Sequence, residues 1–165
     1  MKETLKQVSF EAVPESAEEF RRLFEANIGT VEGAAAVFVL ALLIMSRDRS
    51  LGQECLNFIC AEPPEERAID AAFPRGEDLA RIAGSYFEEG RLTVTVKLTG
   101  ERMKRRHFRT VYVGSSAAGS YRPVTLRSKP PRYYKKRFGI TREYDEDPWQ
   151  VTDYPSLLLP VPQKS

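Results

Sequence analysis

The chain has 165 residues, 42% hydrophobic and 29% charged. That is the make-up of an ordinary globular domain, long enough to bury a core without a disulfide or a metal. The formal net charge is only +2, yet fifteen of the 25 basic residues and one of the 23 acidic residues lie between Arg91 and Arg142. The opening stretch MKETLKQVSFEAVPES has no apolar run and no small-residue cleavage site, which speaks against a secretory signal and makes the cytoplasm the expected compartment.

Residues 1–15 read as an extended arm. Val8 and Phe10 alternate with polar neighbours as in a short edge strand, and Pro14 ends it. Ser16 followed by Glu19 is a capping box, so a helix is expected to run to about Ala26 with Phe20, Leu23 and Phe24 on one apolar face. Gly29 then breaks the chain. Thr30 can cap the next helix, Val31 to Ser46, which would be about 24 Å long. From Ala34 to Met45 this helix carries no charge, so it should be wrapped on most sides by other elements. Twelve uncharged residues fall well short of the roughly 20 that a bilayer requires, so burial in a protein core is expected rather than a membrane span.

A polar turn follows, and Leu51, Cys55, Leu56 and Ile59 recur at helical spacing. Cys55 and Cys60 are five apart, neither a redox pair nor a common zinc spacing, and read as small buried residues. Pro64 introduces a short helix from Glu65 to Phe73, and Glu77 to Ala83 forms another. From Gly90 the period changes. Leu92, Val94, Val96 and Leu98 alternate with Thr93, Thr95, Lys97 and Thr99, which predicts a half-buried strand. Further strands are expected at about Arg105–Val113, Tyr121–Ser128 and Arg132–Phe138, joined by short connections as an antiparallel meander.

Helices first and strands afterwards imply an α+β fold, with the N-terminal helices packed on one face of a curved antiparallel sheet of about four strands. One domain is expected over residues 1–144. Residues 145–165 read as a proline-rich tail that wraps it, anchored by Trp149 and Leu157 to Leu159. A long helix followed by a curved sheet resembles the cone-like nuclear-transport-factor-2-like folds, an analogy of architecture that brings no activity with it.

Five pieces carry a second resemblance: TVEGAAAVFVLAL near residue 30, SLGQECLNF near 50, SYF at 85–87, RPVTLRSK at 122–129 and EDPW at 146–149. In that order they resemble a bacterial family of domains of unknown function. The sequence departs from the family pattern at 132–138, where lysines and arginines replace more apolar residues. The resemblance implies a single α+β domain and no particular reaction.

Chemistry is hard to find. The one histidine, His107, stands in KRRHFRT among cations, which help a general base little. No nucleophile elbow, phosphate loop or dinucleotide fingerprint occurs, and acidic runs such as Asp145-Glu-Asp147 are more often solvated surface than metal ligands. No catalytic residue, metal site or cofactor is expected, and the chain reads as a non-enzymatic interaction domain. The basic segment suggests one alternative, a polyanion or nucleic-acid binder with arginines on phosphates and tyrosines for stacking. Its candidate residues are Arg105, Arg109, Arg127, Tyr133, Lys135 and Arg137, expected on one outward face of the strands. The plainer reading of the same cations is a solvated outer face that discourages edge-to-edge association. A small-molecule pocket or enzyme within a cone-like fold is the other alternative. The partners left open are an acidic protein, a nucleic acid or a second copy of the chain, and no membrane.

Overall fold

The computed structural model describes residues 3–73, 75–88, 90–99, 107–115 and 120–153. These form β1 (Thr4–Ser9), α1 (Ala17–Asn27), α2 (Val31–Arg47), α3 (Arg49–Ile59), α4 (Glu66–Ala72), α5 (Gly76–Ser85), β2 (Thr93–Leu98), β3 (Phe108–Ser115), β4 (Ser120–Ser128), α6 (Pro131–Phe138) and β5 (Trp149–Asp153). The five strands make one open antiparallel sheet in the order β1-β2-β3-β4-β5. The fold is therefore α+β, with five strands where about four were expected.

Helix α2 organises the rest. Thr30 accepts a hydrogen bond from Gly33 N at 3.0 Å, and Glu32 and Arg47 complement the two ends of the helix dipole. Every residue from Gly33 to Met45 is buried. The helix touches all five strands as well as α1, α3 and α5, which explains why no polar stripe interrupts its sequence. Among the described residues no helix is long and apolar enough to cross a membrane. In α1, Ser16 accepts from Glu19 N at 3.2 Å, while the Glu19 carboxylate turns back to Glu15 N at 2.9 Å rather than to the N-cap residue itself.

The core-facing side of the sheet follows from the register. Val8 lies opposite Val94, Val96 opposite Val113, Val111 opposite Val124, and Leu126 opposite Val151. Strand β2 is more enclosed than its alternation suggests, because Thr93 and Thr95 are buried too. Thr93 Oγ1 shares a 2.8 Å hydrogen bond with Ser9 Oγ, and Thr95 Oγ1 donates to Glu88 at 2.8 Å. Partnered hydroxyls can be buried at little cost.

Residues 131–138 are helix α6, which corrects the strand expected at Arg132–Phe138. Pro131 occupies the first helical turn, and Gly139 closes the helix in the left-handed region at φ 72°. Spacing of four then brings Tyr134 and Phe138 together on the buried side. Phe138 packs 5.2 Å from Phe24 and 5.6 Å from Phe58, centroid to centroid, which fastens α6 to α1 and α3. The stretch after α6, expected to be irregular from Asp145, contributes a strand. Trp149 is only 8% exposed, as an anchor should be, and Trp149 N donates to Ile28 O at 2.9 Å. Strand β5 is also bridged on its far edge by Ala61 N donating to Val151 O at 2.9 Å. Leu157 to Leu159 lie outside the described residues.

Candidate functional site

Three of the six candidate residues meet at the corner between β4 and α6. Strand β4 ends in Arg127-Ser128-Lys129, Pro130-Pro131 turns the chain, and the first turns of α6 set Tyr133 back over the strand end. Lys129 Nζ lies 4.8 Å from the centre of the Tyr133 ring, Arg137 Cζ 5.9 Å and Arg127 Cζ 6.0 Å. Each is within reach of the negative potential on the ring face. Tyr133 and Arg137 share a helix face because they are four residues apart.

The ring is held by a chain of hydrogen bonds. Tyr133 OH donates to Gln150 Oε1 at 2.8 Å and accepts from Arg137 Nη1 at 2.5 Å. Gln150, fully buried on β5, donates through Nε2 to Phe58 O at 3.0 Å, and Arg137 Nη2 donates to Asn57 O at 3.3 Å. Beside it, the buried Tyr134 donates to Pro148 O at 2.7 Å, and desolvation raises its phenol well above the ordinary tyrosine range. The aromatic centre is thus fixed in place before any ligand arrives.

Electrostatically the corner is one-sided. Among the described residues, no salt bridge includes Arg127, Lys129 or Arg137. The Nε of Arg127 is buried and has no hydrogen-bond acceptor among the described residues. Lys135, Lys136 and Arg137 stand in the last turn of α6, where cations complement the helix dipole. That purely structural role accounts for Lys135 and Lys136. It does not account for Arg127 and Lys129, which come from the strand.

The other candidates are elsewhere, which corrects the expectation of one basic sheet face. Lys135 is two residues from Tyr133, so it projects about 200° round the helix from it. It lines a separate groove with Arg132, Ile140 and Tyr144. Arg109 lies opposite Leu126 and so sits on the core-facing side of β3, at the strand's outer end. Arg105 lies outside the described residues. Sequence reasoning missed Lys129 and Gln150. Lys129 ends the basic run RSK just before the two prolines, which was a visible signal; nothing local marks Gln150.

Nucleophiles are not gathered here. Cys55 and Cys60 are free and buried, and burial pushes the Cys55 thiol up to about 12 and the Cys60 thiol higher still. Among the described residues no three His, Cys, Asp or Glu side chains come together in a way that would hold a metal ion. The arrangement at the corner is suited to holding an anion against an aromatic ring.

No curated protein and no solved structure matches the chain. A family model does, that of a domain of unknown function (DUF6935), over residues 12–165. The matched span takes in every helix, strands β2 to β5 and the whole β4–α6 corner, in keeping with the resemblance carried by the five sequence pieces. The chain belongs to this family of domains of unknown function.

Proposed function

We propose that this is a non-enzymatic binding domain whose β4–α6 corner takes a polyanion, single-stranded nucleic acid being the form that suits it best. The observation that carries the reading is the convergence of Arg127, Lys129 and Arg137 on one fixed tyrosine ring, with no carboxylate paired to any of them among the described residues. Cations answer phosphates, and a ring offers a base a surface on which to stack. A cytoplasmic setting belongs to the same proposal and is supported by two free cysteines. So does a cone-like architecture, supported by α2 lying against all five strands.

The test is fluorescence anisotropy with a labelled oligonucleotide across a salt series. Three phosphate contacts predict a slope of log K against log salt of about −2 for single strands. Replacing Arg127 and Lys129 by glutamine should weaken binding and flatten that slope to about −0.7. Tyr133→Phe should retain binding, whereas Tyr133→Ala should lose single-strand affinity more than duplex affinity. No binding at low salt would end the proposal and leave the corner as a contact for an acidic protein.

A further inference from the structure

A second feature lies away from this corner. A cavity of about 540 Å³ opens where the first turn of α2 meets the outer ends of β1, β2 and β3 on their core-facing side. That is within the size range of small-molecule sites. Its charges are unevenly divided between its walls. The sheet contributes Lys6 and Arg109, which lie on the core-facing side because they stand opposite Val96 and Leu126. The helix and the segment after α6 contribute four carboxylates, Glu32, Glu143, Asp145 and Glu146, and one cation, Arg142. Among the described residues none of these seven charges is in a salt bridge. Opposite charges that line one cavity without touching leave room for a ligand that bridges them.

Two aromatic residues, Tyr144 and Trp149, complete the lining. Gly29 allows Tyr144 to close in, since a Cβ there would stand 2.8 Å from the Tyr144 ring. Tyr144 OH donates to Glu25 O at 2.6 Å, which fixes the ring, and Arg142 lies over it at 5.9 Å. Trp149 forms part of the lining, and its buried Nε1–H has no acceptor among the described residues. A wall of one sign would select a simple anion or cation. Walls of both signs disfavour either, because each would face its own charge across the space.

We propose that this cavity binds a zwitterionic amino compound, a free amino acid or a short peptide, with its carboxylate on Lys6 and Arg109 and its ammonium toward Glu32, Asp145 and Glu146. Charge-assisted contacts at both ends would fix the orientation of such a ligand, and the two aromatic side chains of the lining would accept its apolar part. The site is distinct from the β4–α6 corner, so either reading can fail alone.

Trp149 is the chain's single tryptophan and therefore reports on the cavity directly. The full chain is titrated with L-phenylalanine and with the dipeptide Gly-Phe, exciting tryptophan selectively. At least one is expected to give a saturable change in Trp149 emission below about 10 mM. Saturation by the amino acid alone or by the dipeptide alone identifies the source. N-acetyl-L-phenylalanine and L-phenylalaninamide, each lacking one charge, should bind at least about tenfold more weakly than the free amino acid, with the correspondingly blocked dipeptides as the controls for Gly-Phe. Arg109→Gln should cause a similar loss and Arg109→Lys a smaller one, with Glu32→Gln as the equivalent variant on the opposite wall should Arg109→Gln fail to fold. Flat titrations with both zwitterions would overturn the proposal. Equal responses from the blocked compounds, or unchanged affinity in a folded wall variant, would do the same.

Discussion

Gly52 should not tolerate the single carbon of alanine. It lies where α3 crosses α2, and a Cβ built on it would stand 2.2 Å from Met45 Cα, 2.3 Å from Met45 Cβ and 2.7 Å from Met45 N. Two of those atoms are backbone, so no rotamer change relieves the contact, and α3 must move away from α2. The shift would loosen the packing of Cys55, Leu56 and Ile59, all fully buried. Helix propensity favours alanine over glycine by about 1 kcal/mol, while overpacking of this kind costs about 1–3 kcal/mol and occasionally more. A backbone collision belongs at the upper end, so Gly52→Ala should lose about 2 kcal/mol and roughly 4–8 °C of melting temperature in a chain of this size. Gly84→Ala is the matched control. It also lies in a helix, its Cβ would meet nothing within 4 Å among the described residues, and it should gain about 0.5 kcal/mol. Urea denaturation of the two variants beside the wild type reads both signs. A Gly52→Ala midpoint at or above wild type would refute the reasoning, as would equal losses at the two sites.

Three further outcomes are expected. Leu40→Asp should abolish the cooperative melt, because Leu40 is fully buried and a carboxylate there has no partner; a melt within a few degrees of wild type would show that α2 is not the core. Trp149 emission should be blue-shifted and shielded from acrylamide, and red-shifted, freely quenched emission would contradict its burial. Stability should fall as pH rises from about 9 toward 12: burial raises the Cys55 thiol from 9.0 to about 12 and the Tyr86 phenol from 10.0 to about 12, so the unfolded chain releases protons that the folded chain retains. A flat denaturation midpoint across that range would contradict it, and Cys55→Ala should reduce the slope.

Sequence reasoning reached α1 and α2 nearly residue for residue because their signals are local: a side-chain cap, then many residues of one consistent pattern. It failed at 132–138 for a reason that is also local. In YYKKRF, Tyr134 and Phe138 fall on one face at period 2 and at period 3.6 alike, and so short a stretch does not separate the two. Pro131 and Gly139 at the two ends were the better guide, because that pairing marks a short helix. Strand β5 was missed because WQVTD is brief and follows a proline, and its partners are Ser128 to Thr125, distant in sequence. The basic corner was half legible. Arg127, Tyr133 and Arg137 stand out by composition, but their meeting depends on α6 being a helix, and Gln150 enters only through the pairing of β5 with β4.

The segment from Arg142 to Trp149 has little regular structure of its own, yet it is positioned by contacts at both ends. Tyr144 is tied to α1 through Glu25 O, Pro148 O accepts from Tyr134 OH and from Lys129 N, and Trp149 N is tied to Ile28 O. One end therefore borders the basic corner, and the rest forms a side of the cavity at the start of α2. Substitutions on the sheet, such as Arg109 or Arg127, each reach only one of the two sites. A substitution at Trp149 would reach both, because it would disturb the cavity lining and the start of the strand that carries Gln150. The two proposals are accordingly separated by variants on the sheet, where a change at one end leaves the hydrogen bonds of the other intact.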